Sequence, residues 1–340
     1  MTAYLATRKG TQILTGSDRM KERPIGPLAD ALNSIGAHIT YLEKEGYPPL
    51  EINAPNPMWK GEIEIDGSIS SQFISALLMI APTLPNGLKV SIKGNLVSRP
   101  YLEMTLSIMD YFGVKHEWIN NEITIAYQNY IAKNFNVEAD WSSASYLYSL
   151  VAINPGSEIE ILGLSNESLQ GDSAMVQMGE KVGVSSVFGE HKLLLKHMDQ
   201  SNDYFEYNFL KQPDLAQTLA CICMAKEIKG LFSGMETLKI KETDRIKALK
   251  NELEKVGGSL SLLPPKFTKS LDEFYLLEGQ YQPPTAAIAT YNDHRMALSF
   301  ACFACLGDIE IEDPNVISKS YVKYWKDLEK LGFELEWLEE

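Results

Sequence analysis

The chain has 340 residues, 45% hydrophobic and 22% charged, with a formal net charge of -14. That length and balance give a folded protein with room for two cores, and exclude a disordered or fibrous chain. The acidic surface argues against nucleic acid and anionic membrane as partners, so any phosphate site must be a local cluster of Arg and Lys, within the ~8 Å screening length of cellular salt.

The first ten residues lack the basic start and apolar core of an export signal, and no apolar run reaches about 18 residues, so a cytoplasmic protein is expected. Cys221, Cys223, Cys302 and Cys305 lie in Ala-rich apolar stretches and read as reduced, buried thiols. Cys302 and Cys305 have no second Cys or His pair beside them, so no metal centre is expected.

In chain order, five amphipathic stretches each end in Gly followed by a strand-like run: ALNSIGAHITYL, IMDYFGVKHEWI, MGEKVGVSSVF, ELEKVGGSLSL and DLEKLGFELEWL. Their glycines, Gly36, Gly113, Gly183, Gly257 and Gly332, are spaced 77, 70, 74 and 75 residues apart, the signature of a repeated module with Gly closing each helix. Between them lie four more apolar helices, SSQFISALLMIAP, WSSASYLYSLVAI, PDLAQTLACICMA and NDHRMALSFACFACL, with short β-like runs such as LKVSIKG, SEIEILG and DIEIEDP. The module reads as strand, apolar helix, strand, amphipathic helix, strand, strand, and the fold as α/β. No Gly-rich nucleotide fingerprint follows a strand. Only 35 residues precede Gly36, and MTAYLA matches the middle of an apolar helix, so the sequence is expected to begin inside a module.

Cations at helix starts oppose the helix dipole, so their recurrence points to anion binding. Arg19-Met20-Lys21-Glu22-Arg23 precedes Pro24, taken as a first helical residue. Lys239-Ile240-Lys241-Glu242-Thr243-Asp244-Arg245 opens a helix whose apolar face is Ile246, Leu249, Leu253 and Val256; taken alone, it reads as a solvated, salt-bridged start. Asn292-Asp293-His294-Arg295 opens a nearly all-apolar helix, where burying Arg295 without an anion costs several kcal/mol; Asp293 or a ligand is the available counter-ion. Ser70, Ser71, Gln72, Ser98 and Tyr101 place hydroxyl and amide donors at other helix entries, and Asp214 follows Pro213 at the mouth of an Ala-rich helix. Singly, each Ser and Asp214 reads as a helix cap.

RMKERPIG, SISSQFISALLM, SRPY, SSASY, LQGD, KETDR, NDHRMA and VISKSY, in this order, resemble the EPSP synthase (3-phosphoshikimate 1-carboxyvinyltransferase) family. The resemblance implies two similar domains, each of three βαβαββ units, closing on the substrates. It divides the chain into a first domain, residues 1–138, whose first unit is incomplete, and a second, residues 139–340. It further implies transfer of the enolpyruvyl group of phosphoenolpyruvate to the 5-hydroxyl of shikimate 3-phosphate by a monomer, without metal or organic cofactor. Carried over, Ser70, Ser71, Gln72, Ser98, Tyr101, Thr237 and Lys241 would hold shikimate 3-phosphate. Asp214 would sit on its 5-hydroxyl as general base, with two further catalytic residues, Lys241 close to the same ring and Glu242 near the enolpyruvyl methylene. Arg23, Gln72, Arg245, His294, Arg295 and Lys319 would meet phosphoenolpyruvate.

Thr237 replaces a common Asn and Val322 a frequent Pro. The family's N-terminal Lys-Ser and Arg and its Asn-Ala-Gly-Thr loop would precede Met1, so an inactive fragment that binds ligand weakly is one alternative. A second is the enolpyruvyl transferase acting on UDP-N-acetylglucosamine, against which KETDR, NDHRMA and RMKERPIG weigh. RNA 3′-phosphate cyclase shares the folding unit, and the acidic charge disfavours it.

Overall fold

The computed structural model describes residues 1–340 apart from 54–58, 69, 191, 201, 269–271 and 339–340, and apart from the side chains of 267 and 268. Ile69 of the SISSQFISALLM stretch therefore lies outside the described residues. The chain divides into two compact units, Met1–Asn136 and Val137–Glu340.

The strands of the first unit are β1 (Gln12–Leu14), β2 (His38–Tyr41), β3 (Leu50–Asn53), β4 (Glu62–Asp66), β5 (Leu88–Lys93), β6 (Glu117–Ile119) and β7 (Glu122–Ile125). Those of the second are β8 (Glu158–Leu162), β9 (Val184–Gly189), β10 (Lys192–His197), β11 (Tyr204–Asn208), β12 (Lys229–Ser233), β13 (Gly258–Leu262) and β14 (Phe274–Gly279). Two sheets have the orders β4-β5-β7-β6 and β11-β12-β14-β13, with the first pair of each parallel and the rest antiparallel. The other two, β1-β3-β2 and β8-β10-β9, repeat the last three positions of that order, so β1 and β8 are edge strands. The module is thus strand, helix, strand, helix, hairpin, as the periodicity predicts, with a helix in the crossover that joins each parallel pair.

The repeat is closed by its glycines. Gly36, Gly113, Gly183, Gly257 and Gly332 all have positive φ, between 86° and 115°, the conformation that ends a helix, and after the first four the chain enters a hairpin. The four apolar helices form at Ser71–Ile80, Trp141–Ile153, Ala216–Ala225 and His294–Phe300. In the second of these, every residue from Ala144 to Ile153 is buried, as expected of a helix apolar on all sides. Strands instead alternate: in β4, Ile63 and Ile65 face inward while Glu62, Glu64 and Asp66 face water.

The first unit's core includes Leu32, Ile52, Ile74, Leu77, Val90, Leu102 and Ile123, and the second's Trp141, Tyr148, Leu219, Ile222, Phe232, Leu253, Leu277, Phe300 and Phe303. Each such side chain contributes about 1.5–3 kcal/mol on burial. Cys221, Cys223 and Cys302 are buried free thiols and Cys305 is half-buried. Among the described residues no helix is long and apolar enough to cross a membrane.

Three sequence expectations change. Pro24 does not begin a helix: residues Asp18–Lys21 make their own single turn, the next helix runs Gly26–Ser34, and the amides of Ile25 and Gly26 bond Gly46 O at 2.8 and 3.1 Å. Among the described residues DIEIEDP gives a single parallel bridge, Ile288 to Ile311. Residues 333–338, the strand-like FELEWL, lie in no ladder among the described residues.

Candidate active site

In open α/β sheets, polar sites gather beyond the carboxyl ends of parallel strands, where helix starts converge. In the first unit β4 and β5 run parallel with Asp66 opposite Lys93, and their exits are tied by Gly67 N to Lys93 O (2.8 Å) and Val97 N to Gly67 O (3.2 Å). Ser70–Gln72 and Ser98–Tyr101 therefore open neighbouring helices, Ser71–Ile80 and Arg99–Tyr111, which Ser75 and Thr105 join through a 3.1 Å hydroxyl contact.

Neither Ser70 nor Ser98 caps its helix through its side chain. Ser98 also holds a left-handed backbone (φ 55°), a strain of about 1–2 kcal/mol in a residue other than Gly. Reading these serines as plain caps is thereby set aside. Ser71 and Ser98 are buried, while Gln72 is exposed. In the 19–23 run, Arg19 pairs with Glu22 at 2.7 Å and Lys21 approaches Glu43 at 3.8 Å; Arg23 is half-buried.

The second unit repeats this arrangement: β11 and β12 are parallel, and Phe209 N bonds Ser233 O at 2.8 Å, as Gly67 N bonds Lys93 O. Beyond their ends come the turns Pro213–Leu215 and Glu236–Ile240, holding Asp214 and Thr237, and then the helix Arg245–Lys255, capped by Asp244. Here the charged residues meet. Arg245, whose side chain is 2% exposed, donates Nε to Asp293 Oδ2 (2.7 Å), Nη1 to Asp214 Oδ1 (3.0 Å) and Nη2 to Glu242 Oε2 (2.7 Å). Arg295 Nη2 pairs with the other Asp214 oxygen at 3.0 Å, and its Nη1 donates to Tyr146 Oη at 3.1 Å and to the Asp214 carbonyl at 3.3 Å.

The outcome differs from the sequence reading in two respects. Asp214 is a bridge between two guanidiniums rather than a helix cap. Asp293 caps the helix His294–Phe300, accepting from Arg295 N (2.9 Å), but its carboxylate is committed to Arg245, and Arg295 takes Asp214 as counter-ion.

Burial would raise the Asp214 carboxyl, but Arg295, Arg245 and Lys241 outweigh it and hold it well below the usual carboxylate range. Lys241 is lowered by burial, with Arg245 and Arg295 acting against its charge and Asp214 for it. His294 is pushed down to about 4, first by burial and then by Arg295, so it is neutral at pH 7. Burial lifts the Tyr146 hydroxyl to about 12, which keeps it protonated. Lys319 donates to the Asn292 carbonyl at 3.2 Å, so a further cation borders the loop that leads into Arg295.

The structure thus brings Asp214, Glu242, Arg245 and Arg295 into direct contact, with Lys241 close enough to bias Asp214. Thr237 lies half-buried in the adjoining turn. Sequence reasoning missed Tyr146; its signal was a phenol in a helix buried on nearly all sides, which must find a partner there.

The EPSP synthase (3-phosphoshikimate 1-carboxyvinyltransferase) family model matches residues 1–328. The chain is 42% identical over 337 residues to the 3-phosphoshikimate 1-carboxyvinyltransferase of Bacteroides fragilis, covering 98% of this chain and 80% of that one. It is 39% identical over 339 residues to that of Vibrio vulnificus, covering 76% of it. A solved EPSP synthase from Acinetobacter baumannii superposes with a TM-score of 0.71 at 21% identity over 98% of this chain and 76% of that one, which shows the shared fold. The chain belongs to the EPSP synthase (3-phosphoshikimate 1-carboxyvinyltransferase) family.

Proposed function

We propose that the chain transfers the enolpyruvyl group of phosphoenolpyruvate to the 5-hydroxyl of shikimate 3-phosphate, releasing phosphate, in the cytoplasmic shikimate pathway to chorismate and the aromatic amino acids. The observation that carries this reading is Asp214 held between Arg245 and Arg295, with Glu242 on the same guanidinium. Residues 1–138 and 139–340 are the two enolpyruvyl transferase domains of a monomer. Ser70, Ser71, Gln72, Ser98 and Tyr101 hold shikimate 3-phosphate, together with Thr237 and Lys241. Arg23, Gln72, Arg245, His294, Arg295 and Lys319 hold the carboxylate and phosphate of phosphoenolpyruvate, a task suited to planar guanidiniums.

Glu242, assisted by Lys241, delivers a proton to the methylene carbon, which makes the adjacent carbon electrophilic. The 5-hydroxyl oxygen bonds to that carbon while Asp214 takes its proton. The tetrahedral adduct then loses phosphate as the new methyl group gives a proton back, restoring the double bond. Held by both guanidiniums, Asp214 is a weak base. Substrate carboxylate and phosphate oxygens compete for Arg245 and Arg295, so binding itself raises the basicity of Asp214.

The test is phosphate release by the 340-residue chain given both substrates, with Asp214→Ala alongside. Turnover that falls at least ~10²-fold in the variant is expected, in line with the usual contribution of one general base. Equal turnover in the two proteins, or none in the unsubstituted chain, refutes the reading.

A further inference from the structure

Glu252 has no part in the chemistry just described, yet it is a carboxylate only 1% exposed, in the same helix as Arg245 and seven residues further on. At 3.6 residues per turn that spacing puts both on one face. Its Oε1 accepts from the Tyr291 hydroxyl at 2.7 Å, and its Oε2 from the Ala289 amide at 3.0 Å and from Lys255 Nζ at 2.7 Å. Lys255 also donates to the Ala287 carbonyl at 2.7 Å. One helix face therefore grips residues 287–291, while Arg245, at the start of that helix, grips Asp293.

The gripped segment is strained where it matters. Tyr291 and Asn292 are consecutive residues with φ of 55°, a left-handed backbone that Asn tolerates but that strains the bulky Tyr291. Such a conformation persists only where its surroundings over-determine it. Three cations depend on this turn. Arg245 is oriented by Asp293, Arg295 is carried two residues beyond it, and Lys319 leans on the Asn292 carbonyl.

We propose that Glu252 is a positioning residue: through Tyr291 and the Ala289 amide it fixes the 287–293 turn and thereby the orientation of Arg245, Arg295 and Lys319 toward a bound anion. The role given to that anion, phosphoenolpyruvate, rests on the function proposed above. The fixing of the turn does not.

The test uses the whole chain with Glu252→Ala, Tyr291→Phe, Glu252→Gln and, as a control for lost stability, Leu249→Ala in the same helix. Amide deuterium exchange across 287–293 and calorimetric affinity for phosphoenolpyruvate and for shikimate 3-phosphate are measured on each. Glu252→Ala and Tyr291→Phe are expected to speed exchange at 287–293 at least tenfold and weaken phosphoenolpyruvate binding about fivefold or more. The Gln variant, which keeps an acceptor oxygen, recovers most of both losses. Leu249→Ala alters exchange in the helix without singling out phosphoenolpyruvate. Unchanged exchange at 287–293 in Glu252→Ala overturns the proposal, as does faster exchange with unchanged phosphoenolpyruvate affinity. If the unsubstituted chain binds no phosphoenolpyruvate, the proposed function falls, and exchange at 287–293 alone decides whether Glu252 fixes the turn.

Discussion

Replacing Asp293 by Ala removes a carboxylate that is fully buried and accepts from both Arg245 Nε and the Arg295 amide. Breaking a buried ion pair by deleting one partner costs about 3–5 kcal/mol, and a lost N-cap adds about 1 kcal/mol. Arg245 keeps Asp214 at 3.0 Å and Glu242 at 2.7 Å, which prevents it from becoming an unpaired buried charge. The net loss should therefore be about 4 kcal/mol, a factor of roughly 10³ in the folded-to-unfolded ratio. Urea unfolding of the full chain at neutral pH measures it, with Arg245→Met and the double variant completing a cycle whose coupling should exceed about 2 kcal/mol. A loss below about 1 kcal/mol for Asp293→Ala, or additivity within about 0.5 kcal/mol, would refute the view that this pair anchors the cluster.

Two other predictions concern pH and backbone. His294 prefers its neutral form when folded, at about 4 against an ordinary 6.5, so the unfolded chain takes up a proton first as pH falls. Stability should drop across that window by roughly 3 kcal/mol and then level off for this group, and His294→Gln should flatten that part of the urea-midpoint profile. Asp214, whose folded carboxyl is depressed, loses its contribution only below about pH 4, so the two effects separate. Gly257→Ala places a Cβ 2.3 Å from Gln280 O at φ 86°, whereas Gly332→Ala, at φ 99°, meets nothing within 4 Å. The first should cost at least ~2 kcal/mol and the second about 1 kcal/mol; equal losses would show that steric contact adds nothing to backbone strain.

Periodicity made the module legible, because a helix that ends in Gly and a strand that alternates leave local marks. The five glycines, the buried helix around Tyr148 and the alternation in β4 all follow from neighbouring residues alone. The cluster was legible only as a set of cations at helix mouths. Which carboxylate answers which cation depends on partners 31 and 48 residues apart, so the Asp214–Arg245 and Asp293–Arg245 pairs could not be read from spacing. Local marks also misled where a distant group intervened. The amides of Ile25 and Gly26 are tied to the Gly46 carbonyl, twenty residues on, a tether that the local pattern around Pro24 does not show, and FELEWL has strand chemistry but pairs with no strand among the described residues.

The buried cluster is electrically balanced as it stands: Arg245, Arg295 and Lys241 against Asp214, Glu242 and Asp293. An anion entering it cannot simply add its charge. For each negative charge that arrives, a carboxylate must let go of its guanidinium or accept a proton, so occupancy and protonation form a single coupled equilibrium.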